Sequence, residues 1–333
     1  MKTWVIYFFI SVCILSGCQQ NLRVTDEGNA EMDEQVLDVV SDNLTSTSEV
    51  AISEQQFIYP VVITLIDPRT LQIVKTFSPQ LMGFGVDDKL YKSKVEEIAR
   101  ELARGTKDIP GYDQQMELDR VDANGEIIKG NPGILLKESE LVEKVIAASY
   151  KGEDIFLPLY LLESNYNAED IPLMNDVTVA SYTTYFSSSE TGRSRNIELS
   201  AIALNNIVVG DGDTFSFNTM VGERSVSKGY QPAPEIINKQ LVMGIGGGIC
   251  QTSSTLFNAV DQLGVKMKER HHHSLNIGYV PTGRDATVSY GTLDFKFQNN
   301  SGVPFLIRTF YSKNTLTIEL RTTHQYKDVL KKS

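Results

Sequence analysis

The sequence has 333 residues, a formal net charge of −11, three cysteines and four histidines. So few cysteines exclude a disulfide-rich fold, and the acidic balance with no basic segment argues against a nucleic-acid partner. About 275 residues remain after the N-terminal segments described next, more than one small core usually spans, so we expect two folded domains.

Residues 1–18 predict a lipoprotein signal peptide. A positive charge at Lys2 precedes an apolar run, Trp4–Leu15, that is too short to span a bilayer. The small residues Ser16 and Gly17 then lead to Cys18, which suits cleavage and lipid attachment there. The alternative is an uncleaved anchor helix. In either case we expect an extracytoplasmic protein anchored to the cell membrane and facing the cell wall.

Residues 19–58 predict a flexible acidic tether. Between residues 21 and 57 nine acidic side chains stand against Arg23 alone, so this stretch carries −8 of the net charge of −11. Like charges repel and extend such a chain, which favours a solvated linker between membrane and folded body. A short helix starting within residues 36–40 is the alternative.

The first folded domain is predicted over residues 59–176. Residues 61–66 and 71–74 flank a turn at Pro68, and residues 116–118 and 126–128 flank Asn124-Gly125, so both pairs are typical of β-hairpins. The domain contains neither cysteine nor histidine. A binding or spacing role is therefore favoured over catalysis.

Two helices are predicted in the same domain. One covers Lys94–Arg104, with Ser93 and Glu96 spaced as a capping box and Gly105 placed to end it. The other covers Glu138–Tyr150. Helices mixed with hairpins indicate an α+β domain.

The second domain is predicted over residues 177–315, with residues 316–333 as a C-terminal tail. A β-prone segment, 177–186, precedes a helix near 196–206 and a glycine-rich loop that leads into a further helix. Four strand candidates close the domain: Leu275–Val280, Ala286–Tyr290, Leu293–Gln298 and Phe305–Tyr311. This pattern is also α+β, with an antiparallel sheet after the loop and helix.

Cys250 is the predicted nucleophile. Cys13 leaves with the signal peptide and Cys18 is acylated, so Cys250 has no disulfide partner, and a leftover cysteine in an exported protein suggests a reactive thiol. It stands at or just before the N-cap of an amphipathic helix, after Gly244–Ile249. We expect the glycines to let the backbone approach a substrate carbonyl and the helix dipole to favour the thiolate. The alternative is a small buried residue that packs the loop.

Three consecutive histidines supply candidate bases. On an extended segment His271 and His273 share a face and His272 points away. His273 is favoured as general base and acid, with His271 as the alternative, and Asp285 could orient the imidazole from the next strand. This order of Cys, His and Asp is that of papain- and transglutaminase-like thiol enzymes. The alternative is that the three histidines form a solvated surface segment without a catalytic role. A zinc site is disfavoured because the paired spacings of zinc ligands are missing, so we expect no metal and no cofactor.

The second domain resembles the VanW family of bacterial cell-wall-associated proteins. The resemblance is carried by segments spread from residue 182 to residue 299, and the glycine motif Gly246–Gln251 is its most specific part. Residues 125–159 resemble the peptidoglycan-binding domain that often precedes VanW domains. The segments are Tyr182–Phe186, Arg193–Ile197, Phe215–Asn218, Val221–Arg224, Gly229-Tyr230, Gly246–Leu256, Glu269-Arg270, His273-Ser274, Tyr279–Pro281, Gly283–Val288 and Asp294–Asn299. The chain has Asp211-Gly212-Asp213 where the family has Pro-Gly-Glu, which keeps the turn character.

The resemblance implies peptidoglycan L,D-transpeptidation through a Cys250 thioester, which forms 3–3 cross-links from tetrapeptide stems. Such links would avoid the D-Ala-D-Ala terminus that vancomycin binds. The alternatives are a non-catalytic wall-binding or envelope-signalling lipoprotein, and a cysteine hydrolase or carboxypeptidase. The implied oxyanion and substrate loop comprises Gly246, Gly247, Gly248, Gln251 and Ser254. The implied substrate-binding candidates are Arg224, Tyr230, Arg270, Ser274 and Arg284.

Overall fold

The computed structural model describes residues 60–330, apart from Asn238 and the side chain of Ile237. The predicted signal peptide, Cys18 and the tether of residues 19–58 lie outside the described residues. The described part belongs to one compact unit that combines helices with mostly antiparallel sheets, which confirms the α+β class.

Six α-helices are present among the described residues. They are α1 (Asp88–Arg104), α2 (Glu138–Ala148), α3 (Thr191–Leu204), α4 (Phe217–Val221), α5 (Ile249–Val260) and α6 (Lys327–Leu330).

Sixteen strands accompany these helices in the described part. The first eight are β1 (Ile63–Ile66), β2 (Ile73–Phe77), β3 (Arg120–Val121), β4 (Ile127–Ile128), β5 (Gly133–Leu136), β6 (Glu153–Phe156), β7 (Leu159–Leu162) and β8 (Val177–Tyr185). The others are β9 (Ile207–Val209), β10 (Thr214–Ser216), β11 (Pro232–Ile237), β12 (Gln240–Ile245), β13 (Lys266–Glu269), β14 (Lys296–Gln298), β15 (Phe305–Tyr311) and β16 (Thr315–Thr322).

The upstream residues build a small three-stranded sheet covered by two helices. Strand β1 pairs antiparallel with β2, as the hairpin around Pro68 predicted, and parallel with β6. The apolar faces of α1 and α2 close one hydrophobic cluster with β1 and β6, in which Leu65 and Ala99 are fully buried. The second predicted hairpin is also present, as β3 and β4 around Asn124-Gly125.

Helix α1 begins earlier than predicted. Its N-cap is Asp87, whose side chain accepts a hydrogen bond from the backbone N–H of Leu90 at 3.0 Å, so the capping box at Ser93 and Glu96 was wrong. An aspartate is as good a cap as a serine, and it begins the helix here. The helix ends at Gly105, as predicted.

A six-stranded antiparallel sheet organises the downstream residues, in the order β4-β3-β9-β15-β16-β8. Strands β3 and β4 come from before residue 176, so this sheet crosses the predicted domain boundary. Residues 316–322, predicted as part of a C-terminal tail, lie in β16 between β15 and β8. Helix α5 packs on β8 and β16, and α3 packs on α5 and β15, around a large hydrophobic cluster.

The strand predictions after α5 were only partly correct. Phe305–Tyr311 is confirmed as β15, whereas only Lys296–Gln298 of the segment 293–298 forms a strand. Residues 286–290 make isolated bridges at Thr287 and Ser289, and the prediction for 275–280 was wrong because that segment is a turning loop. Its β-prone residues have no partner strand, since the chain folds back to bring the histidines to Asp285.

A two-stranded hairpin, β11 and β12, leads directly into the glycine turn before α5. The turn presses against the rest of the domain: a Cβ on Gly247 would collide with the carbonyl oxygen of Ala233, and one on Gly248 would stand 2.7 Å from Cγ of Arg193. Gly248 also has a left-handed φ of 105° as the N-cap of α5. The glycines therefore serve close packing within the protein, and the substrate approach expected of them stays a prediction.

Gly247→Ala should destabilise the fold by about 1–3 kcal/mol, because the added methyl group must displace the β11 backbone. Gly278→Ala is the matched control, since a Cβ there meets open space. Urea unfolding of both variants and the wild type measures the difference. Equal unfolding midpoints for Gly247→Ala and the wild type would show that the turn accommodates a Cβ at residue 247 without a loss of stability.

Candidate active site

Cys250 is the second residue of helix α5, two residues after the N-cap, Gly248, and therefore inside the helix and not at or before the N-cap as predicted. Its side chain is partly buried and forms no disulfide. The sulfur lies 3.5 Å from the carbonyl oxygen of Val288, a residue of the segment that follows Asp285. The loop after β13 therefore forms the wall opposite the thiol.

The thiol is held in its protonated form in the free protein. Burial raises the pKa of Cys250 above its ordinary value, and the negative charges of Glu235 and Asp285 raise it further. Hydrogen bonding with the Val288 backbone and the positive charge of Arg224 lower the pKa but do not overcome burial. The expectation that the helix dipole favours a thiolate was therefore wrong for the resting state.

The backbone around Cys250 offers two free donors. The N–H groups of Ile249 and Gln251 already donate to Gly246 and Gly248, at 3.2 and 3.0 Å. The N–H groups of Gly248 and Cys250 donate to no atom of the described residues. These two groups, at the positive end of α5, are the available oxyanion donors.

Gln251 and Ser254 hold the site together. The fully buried amide of Gln251 accepts a hydrogen bond from Arg193 Nη2 at 2.5 Å and donates to Thr184 and to the Tyr185 carbonyl oxygen. The Ser254 hydroxyl donates to the Cys250 carbonyl oxygen at 2.7 Å and accepts from the Ala286 backbone N–H. Both side chains were predicted in the substrate loop, and in the structure their hydrogen bonds position its backbone.

Asp285 is shared by two histidines. Its Oδ1 lies 2.7 Å from Nδ1 of His272, and its Oδ2 lies 2.7 Å from Nδ1 of His273 and accepts the His273 backbone N–H at 2.6 Å. Burial works to raise the pKa of Asp285, but these hydrogen bonds outweigh it and bring the pKa down to about 2. The carboxylate is therefore ionised near neutral pH, and the predicted pairing of His273 with Asp285 is present.

His271 lies apart from this pair. Its Nε2 is 2.9 Å from Oε1 of Glu269, whose other oxygen contacts Nζ of Lys296 at 3.0 Å. The prediction that His271 and His273 share a face and His272 points away was wrong. The chain leaves the extended conformation after His271, so that His272 and His273 reach one carboxylate.

Tyr279 lies near both His273 and the thiol of Cys250. Its ring stands perpendicular to that of His273, with centroids 6.5 Å apart. Burial raises the pKa of Tyr279 well above its ordinary value, and the charges of Cys250 and Asp285 add to the rise. No hydrogen bond joins Cys250 directly to His273 within residues 60–330. Tyr279 was predicted only as part of the family resemblance, and its contact with His273 depends on the fold of the loop.

Three of the five predicted substrate-binding residues serve the fold or its loops. The guanidinium groups of Arg270 and Arg284 lie 4.1 and 4.6 Å from the ring centroid of Phe257, and both donate to neighbouring oxygens. The hydroxyl of the exposed Ser274 accepts the Lys239 backbone N–H at 3.1 Å, which ties the β11–β12 hairpin to the histidine loop.

The other two lie together beside the site. Tyr230 is 4% exposed within the core, and its charge and that of Cys250 both act on Arg224. Arg224 donates from Nη1 to Asn218 Oδ1 at 2.7 Å. Of the five candidates, Arg224 alone acts electrostatically on the thiol.

Glu235 on β11 was missed by the sequence analysis. The register pairs Glu235 with Val242, so its side chain shares the hairpin face of Gly244, where a Cβ would collide with the carboxylate. Burial raises the pKa of Glu235, and no cation or hydrogen-bond donor pairs with it among the described residues. A lone glutamate in a short strand carries no sequence signal, because only the tertiary fold brings it near Cys250.

Within the part of the chain that the structure describes, no three His, Cys, Asp or Glu side chains are arranged to hold a metal ion. None of the helices described there has the length and apolar character needed to cross a membrane.

Comparison with known proteins identifies relatives of this chain. The model of the family described as VanW like protein matches residues 192–321. The protein YoaR of Bacillus subtilis is 40% identical over 232 residues, which cover 65% of this chain and 77% of YoaR. The vancomycin B-type resistance protein VanW of Enterococcus faecalis is 30% identical over 117 residues, 34% of this chain and 42% of that protein. No solved structure matches.

Cys250 should be alkylated slowly by iodoacetamide near pH 7.5 and faster as pH rises past 9, because burial keeps the thiol protonated. The negative charge of Glu235 raises the pKa of the thiol, so Glu235→Gln should speed alkylation at pH 8 a few-fold. Glu153→Gln, at an exposed position of β6, is the control and should not change the rate. Cys13→Ser and Cys18→Ser in all variants leave one thiol to follow by mass spectrometry. Fast, pH-independent alkylation would contradict a neutral thiol.

Asp285→Asn should lower the free energy of unfolding at pH 7 by about 2 kcal/mol, since the folded-state pKa is about 2 against the ordinary 3.8. A lowered pKa stabilises the fold above pH 4, and this contribution is lost as pH falls from 4 to 2. Urea unfolding at several pH values measures the effect, with Asp108→Asn in an exposed loop as the control. The wild type and Asp108→Asn should lose more stability between pH 4 and pH 2 than Asp285→Asn does. Parallel curves for all three would refute the assignment.

Proposed function

Because this chain belongs to the VanW family, we propose that it is a cysteine-dependent L,D-transpeptidase of the cell wall that forms 3–3 cross-links. The observation that carries the proposal is the position of Cys250. Its thiol stands in the first turn of α5, beside two unused backbone N–H groups, and it feels the charge of Asp285, the ionised carboxylate that orients His273. Peptide binding alone needs no such combination.

In the acylation step Cys250 Sγ attacks the carbonyl carbon between the third residue of a tetrapeptide stem and its terminal D-Ala. The S–H proton leaves as the S–C bond forms, and the N–H groups of Gly248 and Cys250 stabilise the oxyanion. Collapse of the tetrahedral intermediate breaks the C–N bond. The leaving amine takes a proton, free D-Ala departs, and a thioester remains on Cys250.

In the transfer step the side-chain amine on the third residue of a second stem attacks the thioester carbonyl. The new C–N bond replaces the C–S bond, the amine loses a proton, and the thiol is restored. The product joins the third residues of two stems. Neither step consumes a cofactor.

His273 is the proposed proton carrier. Its Nδ1 faces an ionised carboxylate at 2.7 Å, so Nδ1 carries the hydrogen and the other ring nitrogen, Nε2, has a free lone pair. The thiol is neutral at rest, so the proton must move as the substrate is attacked. Tyr279 contacts the ring of His273 and responds to the charge of Cys250, so it is the side chain that we propose for a relay between them.

His272 is less suited to this role. Its Nδ1 also faces Asp285, but its Nε2 lies 3.3 Å from Arg270 Nη2, which can only donate. Both nitrogens of His272 are therefore engaged. His271, the alternative base from the sequence, is paired with Glu269.

We extend the proposal to partners and location. Peptidoglycan stem peptides are the substrates, and lipidated Cys18 anchors the protein outside the cytoplasm with the acidic tether lifting the body toward the wall. Because 3–3 links made from tetrapeptides do not use the D-Ala-D-Ala terminus, such an activity would lower dependence on the target of vancomycin. The relative named as a vancomycin B-type resistance protein supports this link.

The test incubates the full chain with disaccharide-tetrapeptide and follows products by mass spectrometry. We expect a dimer that lacks one D-Ala and an acyl adduct on Cys250, and Cys250→Ala should abolish both. His273→Asn should slow acylation by about 100-fold or more, whereas His324→Asn, at an exposed position after β16, should not change it.

Other product patterns would contradict the proposal in distinct ways. Free D-Ala and tripeptide without dimer would indicate a carboxypeptidase, in which water resolves the thioester. Neither product nor adduct, together with binding to the wall polymer, would indicate a non-catalytic binding lipoprotein. Near-normal acylation by His273→Asn would transfer the base role to another group.

A further inference from the structure

Arg224 has a buried donor without a partner. Its Nη1 is held by Asn218 Oδ1 at 2.7 Å, but Nη2 is closed to solvent and forms no hydrogen bond within the described residues. A buried guanidinium N–H without an acceptor destabilises the fold. Buried donors are nearly always paired, so this one calls for an acceptor that the protein itself does not supply.

No carboxylate of the described residues neutralises Arg224. The carboxylate whose charge acts on it, Asp294, accepts hydrogen bonds from Ser216 and from the Asn218 backbone N–H and lies 3.8 Å from Lys296. The positive charge of Arg224 is therefore available to an anion that enters from outside.

Two aromatic rings and a glycine turn lie against the Arg224 side chain. The guanidinium carbon lies 5.6 Å from the ring centroid of Phe217, which is fully buried, and 5.7 Å from that of Tyr290, which is 54% exposed. Gly246, with a φ of 97°, approaches the stem of Arg224, so the arginine lies against the turn that precedes Cys250. The exposed Tyr290 ring is on a tight turn between Ser289 and Leu293, outside the hydrophobic core.

Arg224 is also close enough to the nucleophile for its charge to act on the thiol. In the proposed reaction one residue separates the attacked carbonyl from the free end of the peptide, and one residue spans only about 3.8 Å. A terminal carboxylate must then lie close to the sulfur. The planar fork of an arginine matches the two oxygens of a carboxylate.

We propose that Arg224 binds the free α-carboxylate of the departing residue, with Tyr290 moving aside, so that the site accepts only acyl donors whose scissile bond is the last of the peptide. This inference rests on the proposed function for the bond that is cleaved, but it concerns recognition and can be tested without turnover. Binding of the α-carboxylate by Arg224 would make the donor site specific for the C-terminus of a peptide. Stems that continue beyond the departing residue would be excluded.

The experiment measures binding to the full chain carrying Cys250→Ala, by isothermal titration calorimetry. The ligands are the tetrapeptide stem with a free C-terminal carboxylate and the same stem as its C-terminal carboxamide. We expect the carboxamide to bind about 10- to 100-fold more weakly, because a charge-assisted hydrogen bond is lost. Arg224→Gln should reduce the affinity for the acid to that for the amide, and Arg224→Lys should keep part of the difference.

Arg195→Gln is the matched control, since Arg195 pairs with Glu198 on the exposed side of α3 and should leave both affinities unchanged. Equal binding of acid and amide by the Cys250→Ala chain would overturn the inference, as would discrimination that survives in Arg224→Gln. Inorganic phosphate that displaces the acid stem at an equal concentration would also overturn the inference, because the site would then bind anions in general and not the C-terminus of a peptide. Comparing the two ligands on one protein needs no Arg224 variant, so misfolding of a variant cannot obscure the result.

Turnover separates this inference from the proposed function. If the wild type forms dimers equally well from the acid and from donors blocked at the C-terminus, the transpeptidase stands and the Arg224 assignment fails. If the acid is preferred in binding but neither dimer nor adduct forms, the Arg224 assignment stands and the transpeptidase fails.

Discussion

The structure around the candidate site depends on the buried polar side chains of α5. Eleven of its twelve residues are buried, and six of these are polar: Gln251, Thr252, Ser253, Ser254, Thr255 and Asn258. Buried polar groups must be hydrogen-bonded, so each one fixes a neighbour. Thr252 bonds Ser200 of α3, Thr255 bonds Thr184 of β8, and Asn258 bonds the carbonyl oxygen of Arg284. Helix α5 thereby holds together strand β8, helix α3 and the loop that contains Arg284.

The charges near Cys250 leave a protonated thiol close to an ionised carboxylate. Burial keeps the thiol protonated, and a protonated thiol reacts slowly with oxidants and stray electrophiles. Asp285, by contrast, stays ionised because two histidines and a backbone N–H surround it. Reactivity would then arise when a bound peptide displaces water and brings the carbonyl group to the sulfur. This arrangement differs from thiol enzymes that keep a resting thiolate, and it follows from the depth at which α5 begins.

Local sequence patterns predicted the elements that are determined locally. Helix α2, strand β8, strand β15 and the hairpin at Pro68 follow from periodicity and turn residues. The pairing of His273 with Asp285 was also predicted, because the types and order of residues point to it. Strand β16 was readable from the alternation of Leu316, Ile318 and Leu320, yet it was assigned to a tail. The loop at 275–280 and the positions of Glu235 and Arg224 depend on contacts between distant segments, which no local pattern contains.

The position of β16 has a consequence for how the protein forms. The last strand of the chain lies inside the six-stranded sheet, between β15 and β8, and α5 rests on it. A chain still being made or threaded from its N-terminus can fold the upstream helices and the β1–β6 sheet, whose partners are all present. The surface beneath Cys250 cannot close until the final residues arrive. Chains that stop before β16 would therefore expose the edges of β15 and β8 and leave α5, which carries Cys250, without part of its support.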